Sequence, residues 1–361
     1  METENENKSK NKFPFFKIRK KTVIILLITF FVTAVLLAAT YAWFSASLNV
    51  KVKFFDLKVS TDTGLFISLD GITFSDSIEV SLDSVIRDLK ATYPNHTNQW
   101  AINGLWSVST NGIPDPNSSK FAVYAGGMRK YTDRARKGQR YLNTYLLDES
   151  EPSEANKYVA FDIFLKNASG SPKKDNLYLS PMTYIGFDST ASQETIENMQ
   201  DILNTLRLGI VKIGETSTKS DVKTIQNLQC NNECMSVIYE PYSLDHNEES
   251  VNAVAGFNIN IEDQTYVPTY GVIKEGRYLD HKSGFVNSGV NLDTEHFALQ
   301  HTIFEKDFED PIFQVPNGIT KARVYLWIEG QDVDALEVFS EGAPIYLNLE
   351  FDKDLAGYEG F

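Results

Sequence analysis

The residues able to do acid–base or metal chemistry are few and dispersed: five histidines, two cysteines and small groups of carboxylates in 361 residues. None of His96, His246, His281, His296 and His301 stands in an H-E-x-x-H pattern, which would set two imidazoles one helical turn apart around zinc beside a general base. Glu295-His296 with His301 is the densest group, and its spacing suits a solvated loop edge as well as a metal cluster. Glu329, Asp332 and Asp334 put three carboxylates just past a predicted strand. Calcium takes oxygen ligands of this kind in loops, and an acidic turn ending the strand is the plainer alternative. No G-x-S-x-G elbow, Walker loop or dinucleotide fingerprint occurs. The expectation is a protein that is not an enzyme and has no cofactor, with calcium at Glu329, Asp332 and Asp334 as the one candidate.

Cys230-Asn-Asn-Glu-Cys234 has no neighbouring histidine of the kind that activates a thiolate nucleophile. The spacing can bring two Cα atoms within the roughly 4.4–6.8 Å that a disulfide needs. A bridge outside the cell and two free thiols are the two readings. A loop so short would shape a turn more than stabilise a fold.

Arg129, Lys130, Arg134, Arg136, Lys137 and Arg140 are opposed within their stretch by Asp133 alone. Over the whole chain acids dominate, Lys+Arg 34 against Asp+Glu 48 for a net charge of -14. That balance argues against nucleic acid as a partner, since polyphosphate binding needs a basic face that releases counterions. The run is either a solvated loop or an electrostatic handle for a wall polymer or for the acidic face of a second copy.

Residues 1–21 carry seven basic residues against Glu2, Glu4 and Glu6, a net of +4, so the remainder carries -18. All three acids precede Lys8, which leaves a purely basic flank before the 18 uncharged residues from Thr22 to Ala39. A bilayer-spanning helix needs roughly 20 apolar residues and a signal-peptide core roughly 7–15, so this length lies between anchor and signal. The basic flank stays cytoplasmic and everything beyond residue 42 is exported. Thr40 and Ala42 set small residues at the -3 and -1 positions of a cut before Trp43. The expected organisation is a basic head over 1–21, a signal peptide or membrane anchor over 22–42, and an extracellular domain with long insertions over 43–361. The protein is then either held at the membrane or secreted.

Thr40-Tyr41-Ala42-Trp43-Phe44-Ser45 resembles the export signal of the TasA and camelysin-type secreted proteins of Gram-positive bacteria. In those proteins an acidic or amide residue usually follows the Phe, where Ser45-Ala46-Ser47 stands here. Residues 64–71 and 324–334 are similar to blocks in relatives that carry this signal. The resemblance implies processing by a dedicated signal peptidase and a role at the cell surface or in a biofilm matrix as a fibre-forming protein. It also implies an alternative, a surface metallo-hydrolase of the camelysin kind. A membrane-anchored ligand-binding domain is a third class, independent of the resemblance.

Leu48, Val50, Val52 and Phe54 alternate with Asn49, Lys51 and Lys53 just past this junction. They form the first strand of the chain's own sheet, or a freed strand that completes the sheet of the next copy. Head-to-tail addition of that sort does not close, and it builds filaments. The resemblance implies assembly in this manner.

The exported part reads as mainly β. The full chain is 42% hydrophobic, which is enough for a packed core and excludes disorder throughout. Val159, Phe161, Ile163 and Leu165 share one face of residues 158–166, opposite Tyr158, Ala160, Asp162, Phe164 and Lys166. Residues 322–328 alternate aliphatic positions with Arg323, Tyr325 and Trp327, and 345–351 turn Ile345, Leu347, Leu349 and Phe351 inward. Period-two alternation marks half-buried strands. Further strands are predicted over 48–59, 64–69, 121–125, 177–179, 207–213, 236–240 and 297–304. Ile196, Met199, Ile202, Leu203 and Leu206 predict a core-facing helix behind a capping box at 190–193, and Leu82, Val85, Ile86 and Leu89 a shorter one. The sum is a two-sheet antiparallel β-sandwich, jelly-roll-like, with one or two inserted helices, preceded by an N-terminal hydrophobic helix. Residues 91–120, 129–156 and 214–296 are expected to be its loops.

Overall fold

Two mixed β-sheets share one apolar core in the computed structural model, which describes residues 51–61, 64–102, 104–130, 140–148, 151, 155–189, 191–231, 234–242, 278–280, 302–304, 308–330 and 341–354, with Lys21 and Thr29. The chain divides into two units, Met1–Ala46 and Ser47–Phe361. In the first, Lys21 and Thr29 are helical. Among the described residues no helix is long and apolar enough to cross a membrane, and of the uncharged run only Thr29 is described.

In the second unit the strands begin with β1 (Lys51–Thr61), β2 (Leu65–Ser68), β3 (Ser77–Val80), β4 (Ser107–Asp115), β5 (Lys120–Lys130) and β6 (Arg140–Leu146). Then come β7 (Val159–Asn167), β8 (Asp175–Leu179), β9 (Tyr184–Phe187), β10 (Leu206–Thr216) and β11 (Met235–Glu240). The last are β12 (Tyr278–Asp280), β13 (Thr302–Phe304), β14 (Phe313–Val315), β15 (Ile319–Glu329) and β16 (Glu341–Asp354). A π-helical turn, Asp83–Arg87, leads into α1 (Leu89–Thr92), and α2 (Gln193–Thr205) and α3 (Val222–Gln226) follow later.

The first sheet is ordered β14-β8-β16-β1-β3, with β9 also paired to β16. Ile345, Leu347, Leu349 and Phe351 of β16 are fully buried while the residues between them are half-buried, as the alternation requires. The second sheet centres on β15, which β10 follows along one edge and β7 along the other. Every residue of β15 is buried. Its even-numbered side chains join the shared core, from Ala322 to Ile328. Its odd-numbered face is charged and aromatic, and tertiary structure covers it. Phe121 packs on Tyr325 with ring centroids 4.7 Å apart, and Tyr93, Phe164 and Ile225 cluster with Ile319. Gly209 on β10 makes this packing possible, since a Cβ there would stand 2.8 Å from the Phe121 ring and 3.0 Å from Trp327.

The expected antiparallel jelly roll is not what forms. β1 runs parallel to β16, β4 parallel to β15, and β11 parallel to β13. Parallel neighbours require long crossovers, and local alternation carries no record of which distant strand lies alongside. The expected loops 91–120 and 129–156 contain β4 and β6, and 214–296 contains α3 and β12 besides β11, which matches the strand predicted over 236–240. In β4 a register shift between Thr110 and Pro114 breaks the period that would reveal a strand. The helix predicted behind 190–193 is α2. Ile202 and Leu203 face the core, Leu206 instead opens β10, and Thr190 lies outside the described residues.

Candidate functional site

Asp162 on β7 lies directly opposite Arg323 on β15, two positions from Lys321. Arg323 Nη1 donates to Asp162 Oδ1 at 2.9 Å, and Lys321 Nζ stands 3.4 Å from Oδ2. The Tyr93 hydroxyl donates to the same Oδ2 at 2.8 Å and accepts from Lys321 Nζ at 2.9 Å. Lys321 also donates to the Gln226 carbonyl at 2.7 Å, and Arg323 Nη2 to the Thr97 carbonyl at 2.6 Å. All four side chains are buried. The cluster therefore fastens the segment after α1, the end of α3 and two central strands to one carboxylate.

Burial alone would raise the Asp162 carboxyl, but Lys321 and Arg323 outweigh it and hold it at about 2. Burial pushes the Lys321 ammonium below its ordinary range against the pull of Asp162. Burial, then the Asp162 carboxylate, drives the Tyr93 phenol far above its usual value. His96 stacks edgewise on Tyr93 with centroids 5.9 Å apart, and burial lowers its imidazole. Asp162 is thus a fixed anion and Tyr93 a fixed neutral donor, so neither can shuttle a proton near neutral pH. Two cations against one carboxylate leave the cluster positive.

Beside it lies a cavity of about 160 Å³. Exposed Asn95, Thr97, Ser118, Asn227 and Gln229 form its rim, with Asp162, Lys321 and Arg323 among its inner lining. Such a recess suits a small polar or anionic group better than an apolar one. Neither this cluster nor its cavity is visible in the sequence reading, where Asp162 and Arg323 occupy the outer faces of half-buried strands. The available signal was aromatic: Phe164, Tyr325 and Trp327 share those faces, and large rings rarely remain exposed in a row.

Cys230 and Cys234 are joined in a disulfide with Cα atoms 4.8 Å apart. They border a second cavity of about 440 Å³ with Lys174, Lys212 and Glu215. Glu329 is not in an open turn: it ends β15, fully buried, and its Oε2 accepts from Trp327 Nε1 at 3.1 Å. Asp332 and Asp334 lie outside the described residues, as do His296 and His301. Among the described residues no group of His, Cys, Asp or Glu is arranged to hold a metal ion. Arg129 and Lys130 end β5 and Arg140 begins β6, with Lys130 opposite Arg140, while Arg134, Arg136 and Lys137 are outside the described residues. Val52 and Phe54 lie in β1 opposite Ala343 and Ile345 of the same chain, and Thr40, Ala42, Trp43, Leu48 and Val50 are outside the described residues.

No family model, no curated protein and no solved structure matches the chain.

Proposed function

We propose that this chain is an exported protein of a Gram-positive-type cell surface, with a structural or adhesive role for its β-domain. The observation that carries the reading is the uncharged run from Thr22 to Ala39 behind a purely basic flank. The Cys230–Cys234 bridge supports it, because disulfides persist in oxidising compartments. The resemblance of residues 40–45 to the TasA and camelysin-type signal supports cleavage before Trp43. Self-association would proceed through β1, which starts just past that junction and lies between β16 and β3. Moving it into a neighbouring copy vacates the same slot for the next, so the addition is open-ended. The basic run from Arg129 to Arg140 offers a contact for wall polymers.

Intact-mass measurement of membrane and medium fractions tests the reading. A released species beginning at Trp43, forming fibres as concentration rises, is the expected result. A full-length species confined to the membrane overturns strand exchange, and a full-length cytoplasmic species overturns export.

The cavity beside Asp162 favours a second reading, a membrane-anchored ligand-binding domain. Thermal stabilisation by a small anion or neutral sugar, lost in Lys321→Met, would support it. A folded protein that no such probe stabilises would remove it.

A further inference from the structure

A second buried constellation lies away from Asp162. Asn167 ends β7, Asp175 begins β8 and Lys353 lies near the end of β16. Asn167 and Asp175 are fully buried, and the Lys353 side chain is 4% exposed. Lys353 Nζ donates to Asn167 Oδ1 at 2.9 Å, and Asn167 Nδ2 donates to Asp175 Oδ2 at 2.9 Å. The amine and the carboxylate are 3.9 Å apart. A lysine recruited only to neutralise an aspartate would sit on the carboxylate. Here the carboxamide stands nearer the amine, with the carboxylate behind it.

An amine, a carboxamide and a buried carboxylate in this order are the nucleophile, acceptor and proton carrier of a transamidation. We propose that Lys353 and Asn167 join in an intramolecular isopeptide bond, with Asp175 as its catalytic residue. Lys353 passes a proton to Asp175, and the uncharged amine attacks Asn167 Cγ. Asp175 returns the proton to the tetrahedral centre, the Cγ–Nδ2 bond breaks and ammonia departs. A lysine ammonium and an asparagine carboxamide become one secondary amide and one ammonium ion, so atoms and charge balance without a further reactant. Burial excludes the water that would compete for the acceptor, and the packed strands hold the reacting groups together.

The Asp162 cluster shows what such chemistry does not use. Lys321 is also close to a carboxylate, but Arg323 at 2.9 Å from Asp162 keeps that group an anion and a poor acceptor. At Lys353 the acceptor is a neutral amide, and no arginine is bonded to it among the described contacts. The bond would span a separation of 186 residues and tie β7 of one sheet to β16 of the other. It is independent of where the protein resides.

Tryptic digestion and mass spectrometry of the purified full chain test the proposal. The expected product is a branched peptide joining Lys353 to Asn167, lighter than the two separate peptides by one ammonia, with no cleavage after Lys353. Asp175→Ala is expected to give the two linear peptides, with circular dichroism confirming that it still folds. Should that variant not fold, the wild-type digest decides alone. Linear peptides with unmodified Asn167 and cleavage after Lys353, from folded wild-type protein, would overturn the bond. Full cross-linking in folded Asp175→Ala would overturn the role of Asp175.

Discussion

Arg207 on β10 and Glu240 at the end of β11 form an ion pair 2.6 Å long in which neither side chain is more than 1% exposed. Arg207 Nη1 also donates to the Asn204 carbonyl at 2.7 Å, in the last turn of α2. One guanidinium therefore satisfies a helix C-terminus, where a cation is favoured, and a buried carboxylate on the neighbouring strand. The second sheet buries this pair as well as the Asp162–Arg323 pair.

Removing half of that pair should be worse than removing both. Glu240→Leu strands a buried guanidinium, and the expected loss is about 3–5 kcal/mol. Arg207→Met with Glu240→Leu replaces the pair by apolar volume and should recover most of it. Denaturant titration of the two variants checks the difference. Equal losses would mean that packing, not the orphaned charge, sets the cost.

The Asp162 cluster makes a pH-dependent contribution whose sign is fixed. Its carboxyl is held at about 2 when folded, below its ordinary 3.8. The stabilisation is therefore complete above that ordinary value and disappears as pH falls through the folded one. Its size is on the order of 2 kcal/mol. Asp162→Asn lacks this term, so the stability gap between wild type and variant should narrow by that amount between neutral pH and pH ~2. A gap that stays constant across this range would show that charge at Asp162 does not matter.

How legible this was depends on which face of a strand is considered. Ile345, Leu347, Leu349 and Phe351 alternate with half-buried neighbours, and both the strand and its core face follow from the sequence. Val159, Phe161, Ile163 and Leu165 give the same signal, yet Asp162 and Phe164 opposite them are buried too. Alternation reports a difference in polarity between faces, and it cannot report that residues 93–98 and α3 cover the polar one. The Lys353–Asn167–Asp175 contact was equally hidden, because Lys353 is 186 residues from Asn167 and each member is individually ordinary. Parallel pairing of β1 with β16 joins the two ends of the domain, and no local pattern encodes it.

Gly209 is the tightest point in the aromatic layer over β15. Its missing Cβ leaves room for the rings of Phe121 and Trp327. Gly209→Ala should cost about 1–3 kcal/mol through overpacking. The wild-type layer should also report the change directly, as altered near-ultraviolet circular dichroism from Trp327. An alanine variant of unchanged stability and spectrum would mean that the ring layer shifts freely.

The Cys230–Cys234 bridge should act locally. It closes a loop with a sequence separation of 4, and so short a loop removes only about 2 kcal/mol of unfolded-chain entropy. Its surroundings give it a second role: the Cys230 amide donates to Ser119 Oγ at 2.9 Å, docking the bridged turn on the β4–β5 connection. Replacing both cysteines by alanine is therefore expected to cost no more than about 2 kcal/mol in denaturant titration. Faster hydrogen exchange should be confined to the Cys230 amide and its neighbours. A loss well beyond that limit, or exchange that quickens across β10 and β11, would mean that the turn holds the sheet edge and not merely itself.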